Sequence, residues 1–327
     1  MSIQKKLTIV TTTSLVPSCP SAALLRHAFE SFYTQPHLLK IRHLISVDMT
    51  VRAHHMIMFK RPKEVLKRYV AELQDLARQY PNVEIVLAKE SSILQNIIFL
   101  VRKVNTPYFL FWEHDWVFSE KIKIEGREYQ PGDLAQLFID VLDKHSFIKD
   151  IRYNYHTLYE KHQFIKAKRD ARIAELPLMQ INTFENTPHI ARTKTWKNIW
   201  VPIFLSTQEK FSKKSWIEQP LTKESKQSIR DVGWDKSSEK WGFYRLGDFK
   251  EPRTISHLDG KYLSKEEIEN NRSLSDLFEE YGGYSDAETY AMHLDSRRIG
   301  IRKVLEIGQL KAKSRQFGKL IFAELQL

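Results

Sequence analysis

Residues 7 to 118 alternate short β-branched runs with amphipathic periods, and that alternation leaves few folds open. LTIVTTTSL (7–15) reads as a buried strand, with Pro17 and Pro20 just beyond it. SAALLRHAFESFYT (21–34) has apolar residues at helical spacing, Ser21 as a candidate N-cap and Pro36 past its end. HLISVDM (43–49) is a second strand, ending on Asp48. The amphipathic run 63–81 follows and stops at Pro81. VEIVLAKE (83–90) is the third strand, 91–105 a helix capped by Ser91 or Ser92, and YFLFW (108–112) the fourth strand. A β-α-β-α-β-α-β order with short connections predicts an α/β fold, a mostly parallel sheet flanked by helices. Ligands of such sheets bind at the carboxyl ends of the strands. Here those ends carry Thr11–Ser14, Asp48, Lys89–Glu90 and Glu113–Asp115.

After residue 118 the pattern loosens. Residues 123–133 read as a hairpin or loop, and 133–145 as a helix capped by Asp133. Residues 148–157 read as a strand, and 159–176 as a charged helical or flexible stretch. Residues 177–200 read as a strand, a loop to Pro188 and a helix from about Thr193. The Lys/Ser-rich 206–240 reads as surface loops, and 241–262 as short closing strands. Residues 286–325 have a helical period and are basic from Arg297 to Lys319. The expected organisation is a catalytic domain over 1–262, with halves 1–120 and 121–262, and a helical extension over 263–327.

The formal net charge is +11, which favours anionic partners: phosphorylated small molecules, nucleic acid or an anionic membrane surface. The basic stretch 297–319 is a candidate for peripheral membrane contact. A single cysteine, Cys19, excludes an intrachain disulfide and a cysteine-based zinc site. The apolar stretches fall short of the roughly 20 residues that span a bilayer. The expectation is a soluble, cytoplasmic protein. Neither G-x-x-x-x-G-K-[ST] nor G-x-G-x-x-G occurs, which argues against P-loop hydrolysis and dinucleotide oxidoreduction.

A chain that binds a nucleotide diphosphate without such a loop needs another neutralising charge. A divalent cation on one or two carboxylates is the usual one. Glu113 and Asp115, either side of His114 at the end of the fourth strand, supply the carboxylates. Two acids so close repel each other unless a cation such as Mg2+ or Mn2+ joins them; a solvated acidic loop is the plain alternative.

In the order LTIVTTTS, LISVDM and the acidic triplet after TPYFLFW, the chain resembles the GT-A fold nucleotide-sugar glycosyltransferases, notably family 2. In that family the triplet is Asp-x-Asp and binds the cation that bridges the donor diphosphate; here its first member is Glu113. The resemblance implies that Asp115 is the main ligand for Mn2+ or Mg2+, helped by Glu113. It implies that Asp48 and Thr11, Thr12 and Thr13 hold the nucleotide-sugar. FENTPHIARTKTW (184–196) resembles the family's acceptor-side loop, and His257 in ISHLDG stands where a metal or diphosphate ligand can sit beside Asp259. The match covers about 6–120 well and 177–262 loosely.

Inverting sugar transfer needs a base for the acceptor hydroxyl. Glu218 in SWIEQPL, next to Trp216, is the candidate, with Asp231 and Asp235 in reserve. The expected partners are a nucleotide-sugar donor and a glycan or lipid-linked acceptor, with no nucleic acid. The competing readings are a basic nucleic-acid-binding protein and an inactive transferase fold that serves as a scaffold.

Overall fold

The computed structural model describes residues 2–15, 21–33, 35, 38–51, 61–88, 93–119, 122–154, 167–208, 218–247 and 254–257. Several expectations fall outside these residues: the caps Ser91 and Ser92, Lys89–Glu90, Trp216, Asp259, the basic stretch 297–319 and the extension over 263–327. The chain divides into two compact units, Met1–Ser256 and His257–Leu327, and the large sheet with its helices belongs to the first.

The strands are β1 (Leu7–Ser14), β2 (His43–Asp48), β3 (Val83–Ala88), β4 (Tyr108–Glu113), β5 (Trp116–Phe118), β6 (Ile122–Ile124), β7 (Arg127–Tyr129), β8 (Asp150–Arg152), β9 (Ala167–Arg169), β10 (Leu178–Ile181), β11 (His189–Arg192) and β12 (Phe243–Leu246). A nine-stranded sheet runs β3-β2-β1-β4-β11-β8-β12-β10-β9. β3, β2, β1 and β4 are mutually parallel. β11 is antiparallel to both β4 and β8, and β12 is parallel to β8. β10 then pairs antiparallel with β12 and with β9. Thus β8, β12 and β9 run with the first four strands, and β11 and β10 run against them. The architecture is a mixed α/β sheet, mostly of one strand direction, flanked by helices.

Two cores line its two faces. One packs Phe29 and Phe32 of helix Ala23–Tyr33 and Leu66, Tyr69 and Leu73 of helix Pro62–Arg78 against Ile9, Ile45 and Leu110. The other packs Ile97, Ile98 and Val101 of helix Ile93–Lys103 with Val10, Leu44, Phe109 and Phe111. Ala22, whose carbonyl accepts the Arg26 N–H at 2.9 Å, takes the N-cap position of helix Ala23–Tyr33; Ser21 stands one residue earlier, its Oγ accepting the Ala23 N–H at 3.4 Å.

Four further readings of the sequence change. β11, HIAR, falls between the expected loop to Pro188 and the expected helix from Thr193, and is a strand inserted between β4 and β8. Its four residues are too few for a period to show. Second, the described residues of 206–240 are helical and not loop. Helix Val201–Gln208 continues a π-turn at Trp196–Trp200, and Glu218–Trp241 is helical across a break at Gly233, whose φ of 79° suits glycine. That segment is held by a sparse buried stripe of Leu221, Ser225, Ser237, Ser238 and Trp241, and serines at buried positions hide an amphipathic period. Third, Asp133 is not an N-cap; Pro131 opens that helix and Asp133 lies in its first turn. Fourth, 131–133 at the end of the 123–133 stretch join that helix, while β6 and β7 form the expected hairpin, turning at Glu125 and Gly126 with φ of 47° and 78°.

Gly242 is required by close approach. A Cβ there would lie 2.0 Å from the Phe147 carbonyl oxygen. The Gly242 carbonyl itself accepts the N–H groups of Lys149 and Asp150, at 2.9 and 3.2 Å, which sets β8 beside β12.

A polar chain crosses the first core. Thr11 Oγ1 is 2.8 Å from His43 Nε2, and Tyr33 OH is 2.8 Å from His43 Nδ1. Asn82 donates to Tyr33 OH at 3.2 Å. Burial disfavours the charged imidazole and pushes the His43 pKa down to about 3. The unfolded chain binds that proton near pH 6.5 and the native state does not. Stability is therefore full above 6.5 and is lost as the pH falls towards 3, by about 1.4 kcal/mol per unit. His43→Gln is expected to flatten the stability-versus-pH slope between pH 6 and 4 by about that amount, read from urea midpoints. An unchanged slope would mean that His43 titrates normally.

Candidate active site

The sheet order reverses between β1 and β4. The chain crosses from β1 to β2 to β3 and returns to place β4 on the other side of β1. The helices of the outward crossings cover one face and helix Ile93–Lys103 covers the other. The carboxyl ends of two strands that diverge in this way leave a crevice where ligands bind.

Alternation along β1 sorts the threonines at that edge. Thr11 and Thr13 turn to the face of the first core, where Thr11 meets His43 and the Thr13 hydroxyl lies 2.5 Å from Tyr69 OH. Thr12 turns to the other face, in register with Ser46 on one side and Glu113 on the other. The hydroxyls of Thr12 and Ser46 are buried and meet no hydrogen-bond partner among the described residues. Asp48, 3% exposed, closes β2 opposite Ser14, and its Oδ1 accepts the Thr50 N–H at 2.9 Å.

Glu113 is the last residue of β4, and His114 and Asp115 form a turn into β5. The two carboxylates are thus carried by a strand end and the turn after it, not by one strand face. All three residues of the triplet are half-buried. His114 Nδ1 lies 3.3 Å from the Thr12 carbonyl, which ties the turn back to β1. The Trp112 indole N–H donates to the Trp116 carbonyl at 2.9 Å and spans the turn from below.

Asn186 joins this edge to Glu218. Its side-chain Nδ2 donates to Glu113 Oε1 at 2.8 Å, and its backbone N–H donates to Glu218 Oε1 at 2.8 Å. Glu113 and Glu218 are 105 positions apart in the numbering, and one residue holds both. Glu218 opens helix Glu218–Trp241, where a carboxylate in the first turn is favoured by the helix dipole. Four residues on, Thr222 Oγ1 accepts the Phe184 N–H at 2.9 Å and donates to the Phe184 carbonyl at 3.2 Å. The helix start therefore grips the segment 184–186 twice.

Beneath that segment lies a buried charged group. Arg152 and Asp150, on β8, have side chains 1% and 0% exposed, and Arg152 Nε donates to Asp150 Oδ1 at 3.0 Å. Arg152 Nη1 donates to the Thr183 carbonyl at 3.0 Å and is 3.9 Å from Glu185 Oε2. His189, in register with Arg152 across the β8–β11 pair, has Nε2 3.5 Å from Asp150 Oδ2. Burial holds its imidazole below the ordinary histidine range, against the pull of Asp150.

Of the sequence candidates, Glu113 and Glu218 meet at Asn186, with Thr12 beside Glu113 in the sheet and Asp115 two residues on in the turn. The Thr11 and Thr13 side chains face the opposite side of the sheet. Asp231 and Asp235 are exposed: Asp231 accepts from Gln227 at 2.7 Å, and Asp235 lies 3.7 Å from both Lys168 and Arg172. His257 ends the short strand Ile255–His257, and its side chain lies outside the described residues. Among the described residues no group of three or more His, Cys, Asp or Glu side chains converges as a metal cage. No described helix is long and apolar enough to cross a membrane.

Asn186 and Arg152 were missed by reasoning from the sequence. Asn186 lay inside a segment singled out for its acceptor-side resemblance, but an asparagine before Thr-Pro is an ordinary loop residue. Asp150 and Arg152, two apart in a strand, share one face. Opposite charges in that spacing were the available signal of a buried pair.

No protein-family model and no curated protein sequence matches the chain. Solved structures that are similar include residues 1–349 of TarS from S. aureus, at 11% identity and a TM-score of 0.42, covering 86% of this chain and 72% of that one. A mannosyltransferase from Pyrobaculum calidifontis, solved with GDP-Man and Mn2+, has 10% identity and a TM-score of 0.38, covering 98% and 84%. A cytidylyltransferase from Leptospira borgpetersenii has 10% identity and a TM-score of 0.35, covering 84% and 92%. Likenesses this loose assign no activity, which has to be argued from the chain's own residues.

Proposed function

We propose that the chain is a glycosyltransferase with a GT-A-like fold that moves a sugar from a nucleotide diphosphate to an acceptor hydroxyl, with inversion. The observation that carries this reading is the junction at Asn186. It brings Glu218, a carboxylate on a helix start, to Glu113 at the switch point of a parallel sheet. Such a site can host a base and an anion-handling edge together.

In this reading Glu218 accepts the proton of the acceptor hydroxyl. The oxygen forms a bond to the anomeric carbon, and the bond from that carbon to the diphosphate oxygen breaks with its electron pair on the diphosphate. The Asn186 N–H fixes one oxygen of Glu218 and so aims the other. The Asn186 amide holds Glu113 at the strand end. Asp48, Thr12 and the β1 end would receive the nucleoside. Glu113 and Asp115 are hard oxygen donors on consecutive parts of one turn, a set that suits Mg2+ or Mn2+ when substrate phosphates complete the shell. That ion, with Asp115 as main ligand, would offset the charge of the departing diphosphate. The acceptor is taken to be a glycan or lipid-linked hydroxyl.

A thermal-shift screen of UDP-, GDP- and dTDP-sugars with and without Mn2+ tests the reading. One donor is expected to raise the melting temperature by several degrees, since ligand at a hundred times its Kd adds about 2.7 kcal/mol. Asp115→Ala is expected to abolish the Mn2+-dependent part. If no nucleotide sugar stabilises the chain under either condition, the transferase reading is wrong.

A further inference from the structure

We propose that the buried Asp150–Arg152–His189 group is a clamp that positions Asn186, with Arg152 as its principal positioning residue. The catalytic consequence rests on the transferase reading; the clamp itself does not.

The segment Thr183–Thr187 is held at its front by Arg152 and at its back by His189. At the front, Arg152 Nη1 donates to the Thr183 carbonyl at 3.0 Å. At the back, His189 Nδ1 donates to the Thr187 carbonyl at 2.7 Å. Asp150 Oδ1 accepts from Arg152 Nε at 3.0 Å and braces the guanidinium; its Oδ2 lies 3.5 Å from His189 Nε2 with no hydrogen bond between them. The guanidinium carbon lies 4.9 Å from the centre of the Phe184 ring and 5.4 Å from that of Phe243. Arg152 therefore touches three consecutive residues, Thr183, Phe184 and Glu185, immediately before Asn186.

Apolar residues could join β8 to β11 at lower cost, because a buried ion pair has to be desolvated. An apolar pair, however, cannot set the height of a carbonyl. A planar guanidinium with donors in fixed directions can do so, and lysine cannot serve Asp150 and Thr183 with the same geometry. The directional bonds end on the two carbonyls that frame Asn186, the residue that spaces Glu113 from Glu218. A shift of the loop by a fraction of an ångström would lengthen both Asn186 bonds.

The test compares the full chain with Arg152→Lys. Amide exchange at Phe184 and Asn186 is expected to speed up about tenfold or more, with β1 and β2 unchanged. With the donor that the thermal screen selects, kcat is expected to fall about tenfold or more, since the loop that aims Glu218 and holds Glu113 is displaced. A purely structural role would lower activity only in proportion to the folded fraction. If Arg152→Lys does not fold, Glu185→Gln, half-buried and milder, is expected to speed exchange at Asn186 about threefold. Unchanged exchange at residues 184–186 in a folded variant overturns the clamp. If the parent chain turns over no nucleotide sugar, the transferase reading fails and the exchange comparison still decides the role of Arg152.

Discussion

Glu218→Gln is expected to lower kcat for sugar transfer by about 10²–10⁴, the range a positioned general base contributes. Donor KM should stay within about threefold, because the change removes an interaction made in the transition state. The substitution suits the geometry. A glutamine oxygen can still accept the Asn186 N–H, so the start of helix Glu218–Trp241 and the loop grip through Thr222 keep their bonds. What is lost is the capacity to take a proton. Asp231→Asn and Asp235→Asn are the controls, since both carboxylates are exposed on the same helix. Each should leave turnover within about twofold. A Glu218→Gln chain that keeps half of the parent rate removes Glu218 as the base; a large loss in Asp231→Asn or Asp235→Asn would transfer the role.

The first half of the sheet was legible because its signals are local. Strands of six or eight mostly β-branched and apolar residues, three of the four closed by a polar residue, alternate with helices whose apolar stripes face the sheet. Asp48 and Glu113 fall at strand ends because the strands stop where burial stops. The carboxyl half was less legible, since its strands have three or four residues and pair across long separations. β8 lies between β11 and β12, so Asp150 meets Ala191 on one side and Phe243 on the other. No window of sequence contains that neighbourhood. The candidate site shows the same divide. Glu113, Asp115 and Glu218 could be picked as acids in apolar settings. Asn186, which joins two of them, draws its meaning from partners 73 and 32 positions away.

Arg152→Met is expected to cost about 3–5 kcal/mol, the penalty for leaving a fully buried charge without its partner. Asp150 has no exposed surface, and once the guanidinium is gone its remaining ionic neighbour among the described residues is the His189 imidazole at 3.5 Å. That imidazole is held towards its neutral form by burial, so it is a poor counter-ion for the abandoned carboxylate. For a folded unit of this size the melting temperature should fall by roughly 10 °C. The double variant Asp150→Asn, Arg152→Met removes both charges and is expected to recover at least half of the loss, because these neighbours are coupled and their effects do not add. A single variant as stable as the parent would show that the pair is solvated or otherwise compensated. The double variant also separates folding from positioning. Methionine can fill the space between Phe184 and Phe243, but it offers no donor to the Thr183 carbonyl. Stability should therefore return while kcat stays low. Recovery of both together would mean that the ion pair acts only through the fold.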